Sequence, residues 1–208
     1  MLFRSRDIDE KRHMLETMKQ DYDINVGLER AADKHIIRIS AELSAFFVAH
    51  EKDDHIDTSI LRKSPTIHDL TQLKTLAKEL SKINEINVKK RKMMYLSMGT
   101  TDMELYVQSL MGLMMLPMAN QAFQLMEKTL LNEFSDEYQR QSDDLGIDKP
   151  LTTTKMQELS RQAFDNKKPV NAFWQSFDKI LANLSIELIK AVQQGVSAKD
   201  WAKIVGGR

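Results

Sequence analysis

The sequence lacks cysteine and contains few glycines and prolines. With no cysteine among its 208 residues, disulfides, thiolate metal sites and cysteine nucleophiles are excluded, which is typical of a reducing compartment. Seven glycines and four prolines leave few positions for tight turns, so the composition favours long helices over a strand-rich fold. Thirteen methionines against two tryptophans indicate adaptable interfaces, because methionine is unbranched and fills irregular gaps.

The sequence also lacks an excess of either charge and any long apolar run. Thirty basic and thirty acidic side chains cancel, which argues against a dedicated nucleic-acid binder. The first 13 residues contain no apolar segment of the kind that a signal peptide needs. The most apolar stretch is residues 105–119, which is too short to span a bilayer. We therefore expect a buried helix there and no contact with a membrane.

The apolar residues that are present recur at the three- and four-residue spacing of an α-helix. Residues 67–96 and 103–138 follow this spacing, and Pro117 either kinks the second segment or begins a new helix. Residues 7–51 carry two apolar stripes in an otherwise polar segment, which predicts a long arm that contacts neighbouring elements rather than forming the centre of a core. These stripes are Leu15, Met18, Tyr22, Val26, Ile36, Ile39, Leu43, Phe46 and Phe47.

The pattern predicts an all-α fold, with a long N-terminal helical arm followed by a bundle of amphipathic helices. Sustained two-residue alternation is almost absent from the sequence. Polar and proline-containing stretches divide the chain into an arm (1–52), a loop (53–66), central helices (67–147) and a C-terminal helical segment (148–208). We expect the last segment to anchor on the core through Phe173, Trp174, Phe177, Leu181, Leu184 and Leu188.

Residue types that bind metals cluster at the end of the arm, but no motif for catalysis is present. Two histidines five residues apart beside a polar loop are more typical of a solvated helix end than of converging ligands, so we predict no metal site and no cofactor. The sequence contains no glycine-rich phosphate loop, no G-x-S-x-G and no H-E-x-x-H. We predict that the protein is not an enzyme, and a metal-dependent hydrolase ranks last. The cluster is His50, Asp53, Asp54, His55 and Asp57.

Charge is distributed unevenly along the chain. Between residues 70 and 92 the basic side chains far outnumber Glu79 and Glu85, whereas residues 127–144 are acidic. Both segments are typical of solvated helix faces, which could also meet in the fold; the alternative is that the basic stripe contacts phosphates or an acidic partner. Because no aromatic ladder accompanies it, we favour a protein partner over DNA. The basic stripe consists of Lys74, Lys78, Lys82, Lys89, Lys90, Arg91 and Lys92.

Residues 167–205 combine several features in a recognisable order. A loop with Pro169 leads to Phe173 and Trp174, a helix with leucines at regular spacing follows, and Gly195, Ser197 and Ala202 come after it. This order resembles the minor head (head-morphogenesis, Mu F-like) proteins of tailed bacteriophages. Residues 69–84 and 119–147 are similar to the central helices of that family, so the resemblance covers about residues 69–205.

The resemblance implies a low-copy structural protein of the virion, made in the host cytoplasm and incorporated during head assembly. It implies a position inside the capsid near the portal, with a role in genome packaging or ejection. The expected partners are portal or other capsid proteins in a multi-copy assembly, and packaged DNA contacted without sequence preference. The alternative is a cytoplasmic all-helical adaptor or regulatory protein without a virion role.

Overall fold

The computed structural model describes residues 2–52, 55–56, 58–146, 151–152, 154–155, 158–159, 162, 168–197 and 200. The predicted all-α class is confirmed. Five long helices carry the described chain: α1 (Leu2–His50), α2 (Ile67–Glu79), α3 (Ile86–Met98), α4 (Met103–Asp144) and α5 (Lys168–Gln193). Of the predicted C-terminal segment 148–208, the structure describes α5, the residues that directly follow it and a few separate positions.

The interval predicted as a loop between the arm and the central helices contains short regular structure. Strand β1 (Glu51–Lys52) pairs antiparallel with β2 (His55–Ile56), a contact too short to change the fold class. A 3₁₀-helix (Thr58–Arg62) follows, and it buries Leu61. The backbone amide of Met103 donates to the carbonyl of Lys63 at 2.8 Å, so this interval is tied to the start of α4.

Side-chain caps begin the central helices, and glycine ends two of the longest ones. Thr66 and Asp69 form a capping box on α2, in which each side chain accepts a hydrogen bond from the other residue's backbone amide. Asp102 accepts from the amide of Leu105 at the start of α4. Gly146 after α4 and Gly195 after α5 adopt φ of 65° and 70°, which closes each helix at low steric cost.

Helix α4 is the centre of the core, and the other helices pack around its N-terminal half. Residues 109–116 are all buried, which requires neighbours on every side of this segment. Pro117 does not begin a new helix, since α4 runs from Met103 to Asp144 through this proline. A 3₁₀ turn (Leu80–Lys82) follows α2 and leads to α3, and both helices contact α4.

The C-terminal half of α1 belongs to the core, whereas the sequence predicts an arm outside the centre of the core. Leu43, Phe46 and Phe47 are buried, and the ring of Phe46 lies 6.1 Å from that of Tyr106 on α4. The Tyr106 hydroxyl donates to Gln72 on α2, whose amide donates to Glu42 on α1, each at 2.8 Å. Burial raises the pKa of Tyr106, and so do the negative charges of Asp69 and Glu42, so this hydroxyl stays a donor.

We predict that alanine has opposite effects at two helical glycines. A Cβ at Gly112 would lie 2.7 Å from carbons of the buried Tyr95 ring, so Gly112→Ala should lower the free energy of unfolding by about 1–3 kcal/mol. At Gly27 nothing lies within 4 Å, so Gly27→Ala should raise it by up to about 1 kcal/mol through helix propensity alone. Urea denaturation followed by circular dichroism measures both changes. Stabilisation at both positions would show that Tyr95 moves aside freely.

The half-buried His35 on α1 predicts a pH dependence of stability. Burial lowers its pKa below the model-peptide value of 6.5, and Lys34 and Arg38 lower it further, while a hydrogen bond with Gln121 on α4 opposes the shift. The unfolded chain therefore binds more protons, so stability is greatest above pH 6.5 and falls as the pH drops through the folded-state pKa. Between about pH 7.5 and 5.5, the melting temperature of the His35→Gln variant should fall less than that of the wild-type protein. Equal losses in both proteins would contradict this assignment.

Candidate functional site

Six exposed or half-buried lysines lie on α2, the turn that follows it, and α3. We call this set the lysine surface. Lys74 and Lys78 are four residues apart on α2, so they share a side of that helix, and Lys82 follows in the 3₁₀ turn. The capping box of Thr66 and Asp69 fixes the residue at which this helix begins. The lysine surface consists of Lys74, Lys78, Lys82, Lys89, Lys90 and Lys92.

The turn between α2 and α3 brings part of the second group of lysines towards the first. The ammonium of Lys92 donates to the hydroxyl of Ser81 at 3.3 Å, and that of Lys89 donates to the side chain of Asn84. Both lysines therefore lie beside the turn that carries Lys82. Lys90 is one residue further around α3, so it projects about 100° away from Lys89.

The two acidic residues in this part of the chain already have other partners. Glu79 pairs with Arg38 on α1 at 2.8 Å. Glu85 caps α3, where its carboxylate accepts from the backbone amides of Asn87 and Val88. Within the described residues, no ion pair joins a carboxylate to the lysine surface. This surface therefore presents positive charge to whatever contacts it.

Arg91 was predicted to contact a partner or DNA, and this assignment is wrong because the side chain faces the core. Its guanidinium donates to both carboxylate oxygens of Asp178 on α5, at 2.8 and 2.6 Å, and to the carbonyl of Trp174 at 3.3 Å. The guanidinium carbon also lies 4.7 Å from the centre of the Trp174 ring. Only 14% of the side chain is exposed. Arg91 shares its face of α3 with the buried Val88 and Tyr95, three and four residues away.

The predicted anchor of the C-terminal helix is largely buried. Trp174 is 2% exposed, and its ring centre lies 5.6 Å from that of Phe123 on α4, 5.3 Å from Phe173 and 5.9 Å from Phe177. Phe173 is half-buried, whereas the other three aromatic side chains are buried. These contacts join α5 to α4. Leu181 and Leu188 on the same helix are buried as well.

Leu184 was predicted as a core residue, and this assignment is wrong, since 46% of it is exposed. The core face of α5 passes through Ser185 instead, which lies four residues after Leu181 and is buried. The hydroxyl of Ser185 donates to the Leu181 carbonyl at 2.8 Å, so the polar atom is satisfied inside the helix. Leu184 lies 100° around the helix from Ser185 and therefore reaches solvent.

The acidic segment of α4 forms its described ion pairs within its own helix. Arg140 pairs with Glu137 at 2.8 Å and with Asp144 at 3.4 Å. Among the described residues, none of the carboxylates in 127–144 pairs with the lysine surface. The alternative that the acidic and basic segments neutralise each other within one chain therefore gains no support here.

The other candidates for chemistry are a histidine at the end of α1 and one surface hollow. His50 lies against Phe46, with ring centres 4.5 Å apart, and its Nδ1 is 2.8 Å from the Phe46 carbonyl. Asp53, Asp54 and Asp57 lie outside the described residues, and the described part of the chain contains no group of three metal-binding side chains. The hollow has a volume of about 530 Å³ and is lined by Thr58, Ser59, Leu61, Arg62, Glu104 and Gln193.

We predict that two adjacent basic residues respond differently to the same substitution. Arg91→Gln should lower the free energy of unfolding by about 1–3 kcal/mol, because it removes charged hydrogen bonds from a pair that is only partly solvated. Lys90→Gln should leave it unchanged within about 0.5 kcal/mol, because Lys90 is exposed. Thermal and urea denaturation compare the two variants. If both were neutral, Arg91 would not be a stabilising contact between α3 and α5.

The sequence pattern did not identify Asp178, which pairs with Arg91, or Ser185, which lies on the core face of α5.

Within the described chain, no helix is long and apolar enough to cross a membrane. No family model, curated protein or solved structure matches the chain.

Proposed function

We propose that the chain is a non-enzymatic structural protein of a phage head. In this proposal it lies inside the capsid near the portal and aids head assembly and genome packaging or ejection. Support comes from the resemblance of residues 69–205 to minor head proteins, and from a helical fold that displays a charged contact surface. The protein is made in the host cytoplasm before it is incorporated into the virion.

The lysine surface is the observation that carries the proposal. Six lysines lie on α2, α3 and the turn between them, and the carboxylates of the two nearby acidic residues, Glu79 and Glu85, bind Arg38 and cap α3. Unmatched positive charge of this kind speeds encounter with a negative surface and selects against positive ones. The acidic surface of a portal or capsid protein fits this chemistry.

A protein partner is favoured over packaged DNA for this surface. No aromatic ladder accompanies the lysines, so base stacking of single strands is not supported. The aromatic residue on α3, Tyr95, is instead buried beneath Gly112. The chain as a whole has no net charge, so long-range attraction to DNA is weak.

We predict that three substitutions on α3 weaken partner binding without unfolding the protein. The variant carries Lys89→Gln, Lys90→Gln and Lys92→Gln and retains Arg91, since Arg91 stabilises the fold. Its affinity for purified portal protein should fall about tenfold or more, and its melting temperature should stay within a few degrees of wild type. A matched control carries Lys128→Gln, Lys179→Gln and Lys190→Gln instead, and it should bind the portal protein like wild type.

Two further measurements separate the possible roles. Filter binding of duplex DNA at two salt concentrations should give weak binding for wild type and triple variant alike. Tight, salt-sensitive DNA binding that the triple variant loses would assign the surface to phosphate contact instead. Mass spectrometry of purified virions should detect the chain. Its absence from virions, with no portal or terminase gene beside its own, would favour the cytoplasmic adaptor.

A further inference from the structure

The N-terminal half of α1 has an uncovered apolar stripe. Between residues 11 and 30 the described side chains are exposed, apart from the half-buried Val26. The exposed fractions are 64% for Leu15, 60% for Met18 and 68% for Tyr22. A single helix in water is marginal without tertiary packing, and contiguous apolar surface of this kind marks a site of interaction.

This stripe has the same heptad phase as the core-facing residues in the second half of α1. In the second half the repeat already packs on helices, because Leu43 and Phe46 are buried in the core and Ile39 is half-buried. The first half continues the same seam in the same phase, so its shape suits a further helix. The a and d positions of the repeat, starting from Lys11 at d, are Lys11, Leu15, Met18, Tyr22, Asn25, Glu29, Ala32, Ile36, Ile39, Leu43, Phe46 and His50.

We propose that residues 11–29 of α1 pair with the same segment of a second copy of this chain, in an antiparallel arrangement with a two-fold axis at residue 20. In antiparallel coiled coils an a residue of one helix faces a d residue of the other. About this axis Met18 faces Tyr22 of the other copy, and Lys11 faces Glu29. The paired segment is about 27 Å long.

The charges in the seam select both the occupant and the orientation. Lys11 stands at a d position and Glu29 at an a position, so the antiparallel pair contains two layers of opposite charge. A parallel pair would place Lys11 against Lys11 and Glu29 against Glu29, which is repulsive. The segment is thus complementary to itself in one orientation, which is the requirement for a two-fold symmetric interface.

The small area of this seam sets the strength of the pairing. Leu15, Met18 and Tyr22 supply most of the apolar contact from each copy, and we expect so few apolar side chains to give a weak association. The pairing therefore depends on protein concentration, and charge layers decide its specificity. It uses none of the residues of the lysine surface.

Charge reversal tests the pairing directly. Lys11→Glu and Glu29→Lys should each weaken self-association by about tenfold or more in sedimentation equilibrium, since each variant meets like charge in both layers. An equimolar mixture of the two single variants should regain the mass of a dimer, because every layer then joins a carboxylate to an ammonium. The double variant Lys11→Glu, Glu29→Lys should also dimerise. Failure of both the mixture and the double variant to associate would overturn the proposal.

A matched pair of apolar substitutions separates the seam from the rest of the helix surface. Leu15→Ser should reduce dimerisation, whereas Ile37→Ser should not, although Ile37 is 71% exposed and lies outside the a and d positions. A monomeric wild type at high protein concentration, or equal effects of both substitutions, would contradict the pairing. Because the lysine surface is not involved, portal binding by Lys11→Glu tests the proposed function separately.

Discussion

The enclosure of the N-terminal half of α4 is the constraint on which the other elements depend. A helix that is buried on every side over residues 109–116 must be surrounded, and α1, α2, α3 and α5 all contact it. Where α3 approaches most closely, Gly112 leaves room for the Tyr95 ring, and Ser109 lies against Gly99. Elsewhere Met111, Met114 and Met115 fill the space, and their flexible side chains can adapt to helices that cross at different angles.

A cation holds α5 against this core. Arg91 loses hydration when it lies between α3 and α5, and such a loss is offset only if its hydrogen bonds are satisfied. Asp178 provides two acceptors, the Trp174 carbonyl provides another, and the Trp174 ring covers the planar face of the guanidinium. Asp178 remains 45% exposed, so the pair keeps part of its hydration and costs less than a fully buried one. The same contacts remove Arg91 from the surface and leave lysine as the cation type on the outer side of α3.

The two halves of helix α1 lie in different surroundings. At its heptad positions Leu43 and Phe46 are buried and Ile39 is half-buried, whereas Leu15, Met18 and Tyr22 are exposed. The difference arises because the bundle ends where α1 leaves α4, close to the contact of His35 with Gln121. In the described part of the chain, this exposed seam has no helix beside it, and the lysine surface forms no ion pair with a carboxylate.

The sequence by itself determined the all-α class and marked the end of α5, and the tertiary structure decided which helix faces are covered. Three- and four-residue spacing predicted the all-α fold, because local periodicity depends only on neighbouring residues, and Gly195 marked the end of α5 for the same reason. Burial depends on partners distant in the chain. Arg91 could not be separated from its lysine neighbours without knowing that Asp178 lies opposite, 87 residues later. Likewise Leu184 follows the leucine spacing, but a rotation of α5 against α4 places Ser185 inside, since several faces of one amphipathic helix satisfy the same pattern.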